Sequence, residues 1–324
     1  MRVLVLGATG HLGQAVVRHA LAHGRTVTAA TRQSDPVALR GLHVTTARVD
    51  GELSTLNELA ERHDVMVDAA APYPLEPCAL WSPAWNAAID SAVRRTRTVI
   101  EAAQRNKLRL IFVSSFTTLL REESPQRAME SAWRRSVYPY FAAKAAMEQT
   151  VLAAAHEGLP AVVVNPAACL GPWEFRGDAS SLVRLVMSRR LPLVMDQVLS
   201  VIDVRDVAEA IDAALERELF GRPIALAGHN LSVAELARQI AEINGGAAPA
   251  AIDPRLASMA AFWNSAAFAA FGQATPDVLR AVPLAADGFA MRPSPEQIAM
   301  SLNLHDLSAT LRDAVVFHQS LRGD

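Results

Sequence analysis

A chain of 324 residues, 51% apolar and 20% charged, has an ordinary globular mix and the length for one large α/β unit with a smaller companion. Its net charge of −2 gives no electrostatic reason to expect a nucleic-acid partner. Two distant cysteines, Cys78 and Cys169, supply neither a disulfide framework nor a zinc pattern, so no metal is expected and a reducing, cytoplasmic setting fits.

In chain order, Met1-Arg2 runs straight into Val3–Leu6, a first strand with no signal peptide before it. Leu12–His23 reads as a helix stopped by Gly24. Thr26–Ala30, Val44–Val49 and Val65–Ala69 read as the next strands, and Val93–Gln104 as a helix whose Arg94-Arg95-Thr96-Arg97 run is a solvated face. Leu108–Val113 is a fifth strand, Tyr140–His156 a helix with Gly158 after it, and Ala161–Val164 a sixth strand. Strands alternating with helices predict a parallel sheet covered on both faces, and near-continuous apolar strands such as Leu110-Ile111-Phe112-Val113 agree.

The pattern loosens after Pro166. Val183–Met187 and Asp203–Leu215 read as helices, and Leu199–Ile202 and Ile224–Ala227 as strands. Leu256–Phe271 is apolar but interrupted by Ser258, Asn264 and Ser265, and it falls short of the roughly 20 residues of a membrane span. Met259, Phe262, Trp263 and Phe271 recur at helical spacing there, which predicts a core, pocket-lining or dimer-facing helix; a lid is the alternative. The expected fold is a doubly wound parallel sheet of Rossmann type with a smaller, interleaved C-terminal α/β domain. Residues 1–170 are the dinucleotide-binding unit, with 199–228 returning to it; 171–198 and 229–324 form the smaller unit.

Two motifs carry chemistry. The first is Gly7-Ala8-Thr9-Gly10-His11-Leu12-Gly13, between a strand and a helix. Gly7 permits the tight turn, Gly10 lets backbone approach a pyrophosphate, and Gly13 allows close helix–strand packing, with free helix N–H groups facing the anion. The second strand ends Thr28-Ala29-Ala30-Thr31-Arg32, with no carboxylate before Asp35. Arg32 suits a 2′-phosphate, which favours NADP(H) over NAD(H). Asp50, after the third strand, is placed for the adenine edge.

The second motif is Tyr140-x-x-x-Lys144, whose spacing puts both side chains on one helix face. A nearby ammonium favours phenolate and so prepares a tyrosine to move a proton beside a nicotinamide. Ser115 closes the fifth strand's segment and can polarise a substrate oxygen; Thr117 is the rival hydroxyl. Tyr138 is a rival phenol, but the residue four later is Ala142.

These residues resemble the extended short-chain dehydrogenase/reductase family, within the NAD-dependent epimerase/dehydratase superfamily. The glycine turn matches its nucleotide fingerprint, and Asp68-Ala69-Ala70-Ala71 its fourth-strand segment, where Ala69 and Ala70 would line the cofactor. Val113-Ser114-Ser115 resembles its serine segment, and Tyr140-Phe141-Ala142-Ala143-Lys144 its catalytic pair, followed by a recurrent acid at Glu148. Val164-Asn165-Pro166 with Gly171-Pro172 resembles its sixth strand, which implies Pro166 beside the nicotinamide; Asp203–Ala208 resembles a further segment, read as structural. The serine segment departs from the family in continuing Phe116-Thr117-Thr118, and Asn86 is only a loose match to an extra catalytic Asn of some relatives.

Asn165-Pro166 and Arg32 look most like the dihydroflavonol-4-reductase-like branch, which implies NADPH-dependent reduction of a ketone or aldehyde. Nucleotide-sugar epimerases and dehydratases share the skeleton and are the alternative; they commonly carry an acid at the end of the second strand, which is missing here. Relatives that bind NADP without chemistry commonly lack the Tyr–Lys pair. Tyr73, Trp81, Trp85, Phe116, Trp133, Tyr138, Trp173 and Phe175 cluster in segments expected at the pocket mouth, which suits an apolar or aromatic small molecule. Arg176, Arg184, Arg189 and Arg190 are available as anchors for a diphosphate. The resemblance also implies a possible homodimer through the 93–104 and 140–156 helices.

Overall fold

The structure is a computed structural model; it describes all residues except 71, 73, 120–124, 176–180, 190, 272, 274–281, 283, 284 and 322–324. The chain opens with β1 (Arg2–Leu6), α1 (His11–Ala22), β2 (Thr26–Thr31), β3 (Thr45–Arg48), α2 (Leu53–Ala60) and β4 (Val65–Asp68). It continues with α3 (Pro83–Arg105), β5 (Arg109–Val113), α4 (Pro125–Val137), α5 (Pro139–His156), β6 (Ala161–Pro166) and β7 (Ala168–Leu170). Then come α6 (Leu182–Met187), β8 (Leu193–Met195), β9 (Val198–Asp203), α7 (Val204–Glu216), β10 (Pro223–Leu226) and β11 (His229–Ser232). The described elements end with α8 (Val233–Ile243), β12 (Ala250–Ile252), α9 (Pro254–Ala270), α10 (Pro295–Met300) and α11 (Leu307–Ser320).

Seven strands form one sheet in the order β10-β6-β5-β4-β1-β2-β3, every pair parallel. The expected Rossmann-type sheet is therefore present. Its strands alternate strictly between two cores. Val3, Val5, Val65, Val67, Ile111, Val162 and Val164 face α1 and α7, with Val16 and Ile211 opposite them. Leu4, Leu6, Met66, Leu110, Phe112 and Val163 face α2, α3 and α5, with Leu56, Val99 and Met147 opposite. Period-two alternation with both faces apolar is the signature of a sheet buried on both sides. The strand order reverses beside β1, so the crevice at the carboxyl ends of β1 and β4 is where such sheets bind ligands.

Beyond Pro166 the chain builds two small sheets, β11-β9-β7 and β12-β8, and also returns β10 to the edge of the large sheet beside β6. Gly228 sits tightly against β9: a side chain there would lie 2.2 Å from the Val201 carbonyl oxygen.

The helices depart from expectation in detail. The third helix starts at Pro83 rather than Val93, because Ser82 caps it, accepting from Trp85 N at 3.2 Å, and Pro83 fits its first turn. The helix over Leu256–Phe271 is present as α9, but its large residues do not form a core face. Leu256, Met259, Trp263 and Phe271 are exposed, whereas Ser258, Ala261 and Ser265 are buried. Phe262 and Phe268 are half-buried, Phe262 edge-on to Trp133 at 5.3 Å. Among the described residues no helix is long and apolar enough to cross a membrane.

Candidate active site

The glycine turn lies where β1 meets α1. Gly7 has φ +77°, and a side chain there would come within 2.9 Å of Ala69 backbone and of the Ala70 Cβ. The turn is thus pressed against the segment leaving β4, and Ala69 and Ala70 border it. Gly10 N donates to Gly7 O at 2.9 Å, and Gly10 is the N-cap of α1 with no side chain capping the helix. A side chain on Gly13 would stand 2.1 Å from Gly7 O, so only glycine lets the helix start this close to the strand. The first N–H groups of α1 have no partner within the helix by construction and no side-chain cap. A bare helix N-terminus at the carboxyl edge of a parallel sheet fits an anionic pyrophosphate.

Thr9 lies half-buried in this turn, and Leu12 packs into the core below. His11 points toward the loop after β7, its Nε2 3.0 Å from the Pro172 carbonyl. Burial holds its imidazole below the usual value, against the pull of Glu174. Arg32 is exposed directly after β2, and the nearby Asp35 is already paired with Arg40. Asp50 is also exposed; its carboxylate accepts from Glu52 N at 2.9 Å and Thr55 Oγ1 at 3.1 Å, ahead of α2. Pro166 ends β6, in register with Leu226 of β10.

The second half of the site gathers around the end of β5. Ser115 caps a 3₁₀ turn, Phe116–Thr118, its Oγ accepting from Thr117 N at 3.2 Å and Thr117 Oγ1 at 3.0 Å. With two donors already on its oxygen, the Ser115 hydroxyl has its own proton left to give. Thr117, the rival, is thereby committed to Ser115. Tyr140 stands in the first turn of α5, 2% exposed, its backbone N–H donating to Pro74 O at 3.2 Å and its ring edge-on to Phe141. Lys144, one turn on and also 2% exposed, donates from Nζ to Val113 O at 3.1 Å and more weakly to Ser114 O at 3.5 Å. Burial brings its ammonium down to about 8; Asp68 and Glu148 oppose that shift, and Arg95 adds to it.

Sequence reasoning names Glu148 and Asn165 by resemblance and misses the contacts by which they hold these groups. Glu148, buried on α5, accepts from Ser114 Oγ, from Thr118 Oγ1 at 2.7 Å and from Asn165 Nδ2 at 2.7 Å. Asn165 Nδ2 also reaches Thr118 Oγ1 at 2.8 Å and Ser115 O at 3.3 Å, while its Oδ1 is buried with no partner among the described residues. Thus β5, β6, α5 and the serine turn are laced by one carboxylate. Asp68, ending β4, is buried and takes two hydrogen bonds from Arg95 of α3, at 2.8 and 2.6 Å. Arg135 of α4 donates to Thr117 O at 2.9 Å and pairs with Asp287, a fully buried carboxylate that also meets Ser131 and Arg134. Their partners lie 17 to 156 residues away, so no local spacing announces them.

The aromatic residues divide. Tyr138 is buried and its phenol is pushed up to about 12, chiefly by burial and by Glu76. Trp85 and Phe116 are buried, Trp133 is half-open and Trp81 largely exposed. Trp173 lies under the Arg18 guanidinium, 4.9 Å from the ring centre, and Phe175 packs edge-on against Phe317 at 5.0 Å. These last two are packing residues of the α1 and α11 side. Tyr73, Ala71, Arg176 and Arg190 lie outside the described residues.

A family model described as the NAD dependent epimerase/dehydratase family matches residues 3–226. The chain is 30% identical over 265 residues to sterol demethylase protein B of Methylococcus capsulatus, covering 79% of each protein. It is 29% identical over 255 residues to a candidate dihydroflavonol 4-reductase of Synechocystis, covering 76% of this chain and 73% of the other. The crystal structure of a nucleoside-diphosphate-sugar epimerase from Pseudomonas aeruginosa shares the fold, with a TM-score of 0.74 at 20% identity over 99% of this chain and 98% of that one.

Proposed function

Because the chain belongs to the NAD dependent epimerase/dehydratase family, we propose that it is an NADPH-dependent reductase of ketones or aldehydes, acting on a small-to-medium, largely apolar or aromatic substrate. The observation that carries the reading is the buried Tyr140–Lys144 pair, backed on α5 against the Ser115 turn at the carboxyl edge of β5.

In this reading the glycine turn and the start of α1, Gly7 to Gly13, hold the cofactor pyrophosphate. Arg32 meets the 2′-phosphate, and Asp50, held by Glu52 and Thr55, meets the adenine edge. Ala69, Ala70 and Pro166 line the ring end. When bound, the reduced nicotinamide supplies a hydride to the carbonyl carbon. Tyr140 gives its phenolic proton to the carbonyl oxygen, Ser115 donates its free O–H to the same oxygen, and Lys144 holds positive charge behind the phenol. Residues 171–198 and 229–324 cover the substrate. The names of the two curated relatives, a sterol demethylase protein and a dihydroflavonol reductase, support a ring-built, apolar compound. A cytoplasmic home fits the Cys169 thiol, which burial pushes up to about 12 and so keeps inert. A homodimer is proposed through α3 and α5, readable by sedimentation.

The test is oxidation of NADPH and NADH, followed at the nicotinamide absorbance, against aryl ketones, aldehydes, β-keto compounds and nucleotide sugars. Carbonyl-dependent loss of NADPH is expected. A nucleotide sugar converted with no cofactor consumed would replace this reading with epimerase or dehydratase chemistry. Arg32→Ala should raise KM for NADPH by roughly tenfold or more, the worth of one charge-assisted contact, with little change for NADH. An equal effect on both would remove the phosphate contact.

A further inference from the structure

At the end of α1 remote from the glycine turn, three side chains of ligating chemistry converge. His19 and His23 are four residues apart and share one face of the helix; Asp212 reaches them from α7, which packs along α1. His19 Nε2 lies 3.2 Å from Asp212 Oδ2, and one ligating atom from each of the three lies within 4.8 Å of the others. Two ligand atoms bound to a tetrahedral zinc ion at about 2.0–2.1 Å stand roughly 3.4 Å apart. The His19–Asp212 edge already has that separation.

The third ligand is positioned to follow. His23 Nδ1 is held by the His19 carbonyl at 2.8 Å, which leaves Nε2 to bind. A ring hydrogen-bonded through one nitrogen to a backbone carbonyl is how metal-binding histidines are commonly oriented. The two imidazoles lie face to face, centroids 4.2 Å apart and 28° between planes, and His23 is exposed, so its ring can close on an ion by a side-chain rotation. Asp212 is buried, and its carboxylate stays below the usual range because bonds from His19 and Arg25 outweigh burial. Arg25, before β2, pairs with Asp212 through Oδ1 and approaches Glu216 at 3.6 Å. The Arg25 charge opposes a cation here, but it also fixes the carboxylate so that Oδ2 is the atom turned to the histidines.

We propose that His19, His23 and Asp212 form a binding site for a divalent transition-metal cation of the Zn²⁺ type, clamping the far end of α1 to α7. Two imidazoles and one carboxylate are a borderline donor set that suits Zn²⁺, with water completing the shell. The site is separated from the glycine turn by most of α1, roughly 15 Å along the helix. Its role is therefore structural and independent of the proposed reduction.

The test uses the full chain, free of any affinity tag and stripped with chelator, titrated with Zn²⁺ by calorimetry and followed by thermal unfolding at pH 7.5. A saturable step of one equivalent and a raised Tm are expected, with both reversed by added chelator. His23→Ala, at an exposed position, should lose the step while keeping its fold, its metal-free Tm and its turnover; His19→Gln should lose it as well. No saturable step in the parent chain overturns the proposal. So does a step that survives unchanged in His23→Ala, which would place the ion on another of the nine histidines or on a cysteine.

Discussion

Tyr140 and Lys144 are legible from sequence because their relation is local: one helical turn fixes it. In the proposed mechanism Tyr140→Phe removes the proton donor and keeps the ring beside Phe141. It should lower kcat by about a hundred- to ten-thousand-fold while NADPH still binds, as read by quenching of protein fluorescence. Lys144 adds a pH dependence. Its folded value of about 8 lies below the free value of 10.5, so the fold favours the neutral amine. The buried ammonium therefore costs stability at pH below about 8, and the cost is relieved as pH rises toward 10.5. Turnover has the opposite need, because the mechanism uses the charged form, and should decline above about pH 8. Asp68→Asn removes the largest influence holding the charge on, so the alkaline limb of the kcat profile should move to lower pH; a limb that stays put would separate Asp68 from Lys144. None of this could be read from Asp68-Ala69-Ala70, since Arg95 and Lys144 reach Asp68 only through the packing of α3 and α5 against the sheet.

At the level of elements, the turn between β1 and α1 has almost no slack. Gly13→Ala puts a methyl group 2.1 Å from Gly7 O, and a helix start this crowded must move. A loss of about 1–3 kcal/mol is expected from urea unfolding, with weakened cofactor binding beyond it as the first N–H groups tilt away. The central strands β1, β4, β5 and β6 were readable because they are largely apolar, and the observed alternation between two cores explains why no polar face marks them. The helices were read less well. The amphipathic pattern of α3 fades in Pro83-Ala84-Trp85-Asn86, so only its cap betrays the true start. In α9 hydrophobicity misleads, because the buried face is the one with the smaller side chains.

The whole molecule depends on contacts between distant parts of the chain. Asp287 is the clearest case: it is fully buried, far along the sequence, and bound to Ser131, Arg134 and Arg135 on the helix that leads into Tyr140. Asp287→Ala would leave buried positive charge behind and should cost about 3–5 kcal/mol. Amide exchange should quicken across Met129–Val137, and KM should rise as the Ser115 turn loses its hold through Arg135. Protection unchanged in that helix would show that α4 is held by other contacts. Such ties are invisible to periodicity, which sees one segment at a time.

The placement of β10 bears on how the chain is made. β6, Ala161-Val162-Val163-Val164-Asn165-Pro166, is fully buried, yet its outer neighbour is β10, which begins only at Pro223. Roughly 60 residues must be synthesised between them, a matter of several seconds at ribosomal rates of about 5–20 residues per second. For that interval a run of valines presents an open hydrogen-bonding edge to any other strand nearby. Nascent chains on one messenger carry that same edge side by side, so the slow arrival of a four-residue strand sets the window in which a chaperone is most useful to this protein.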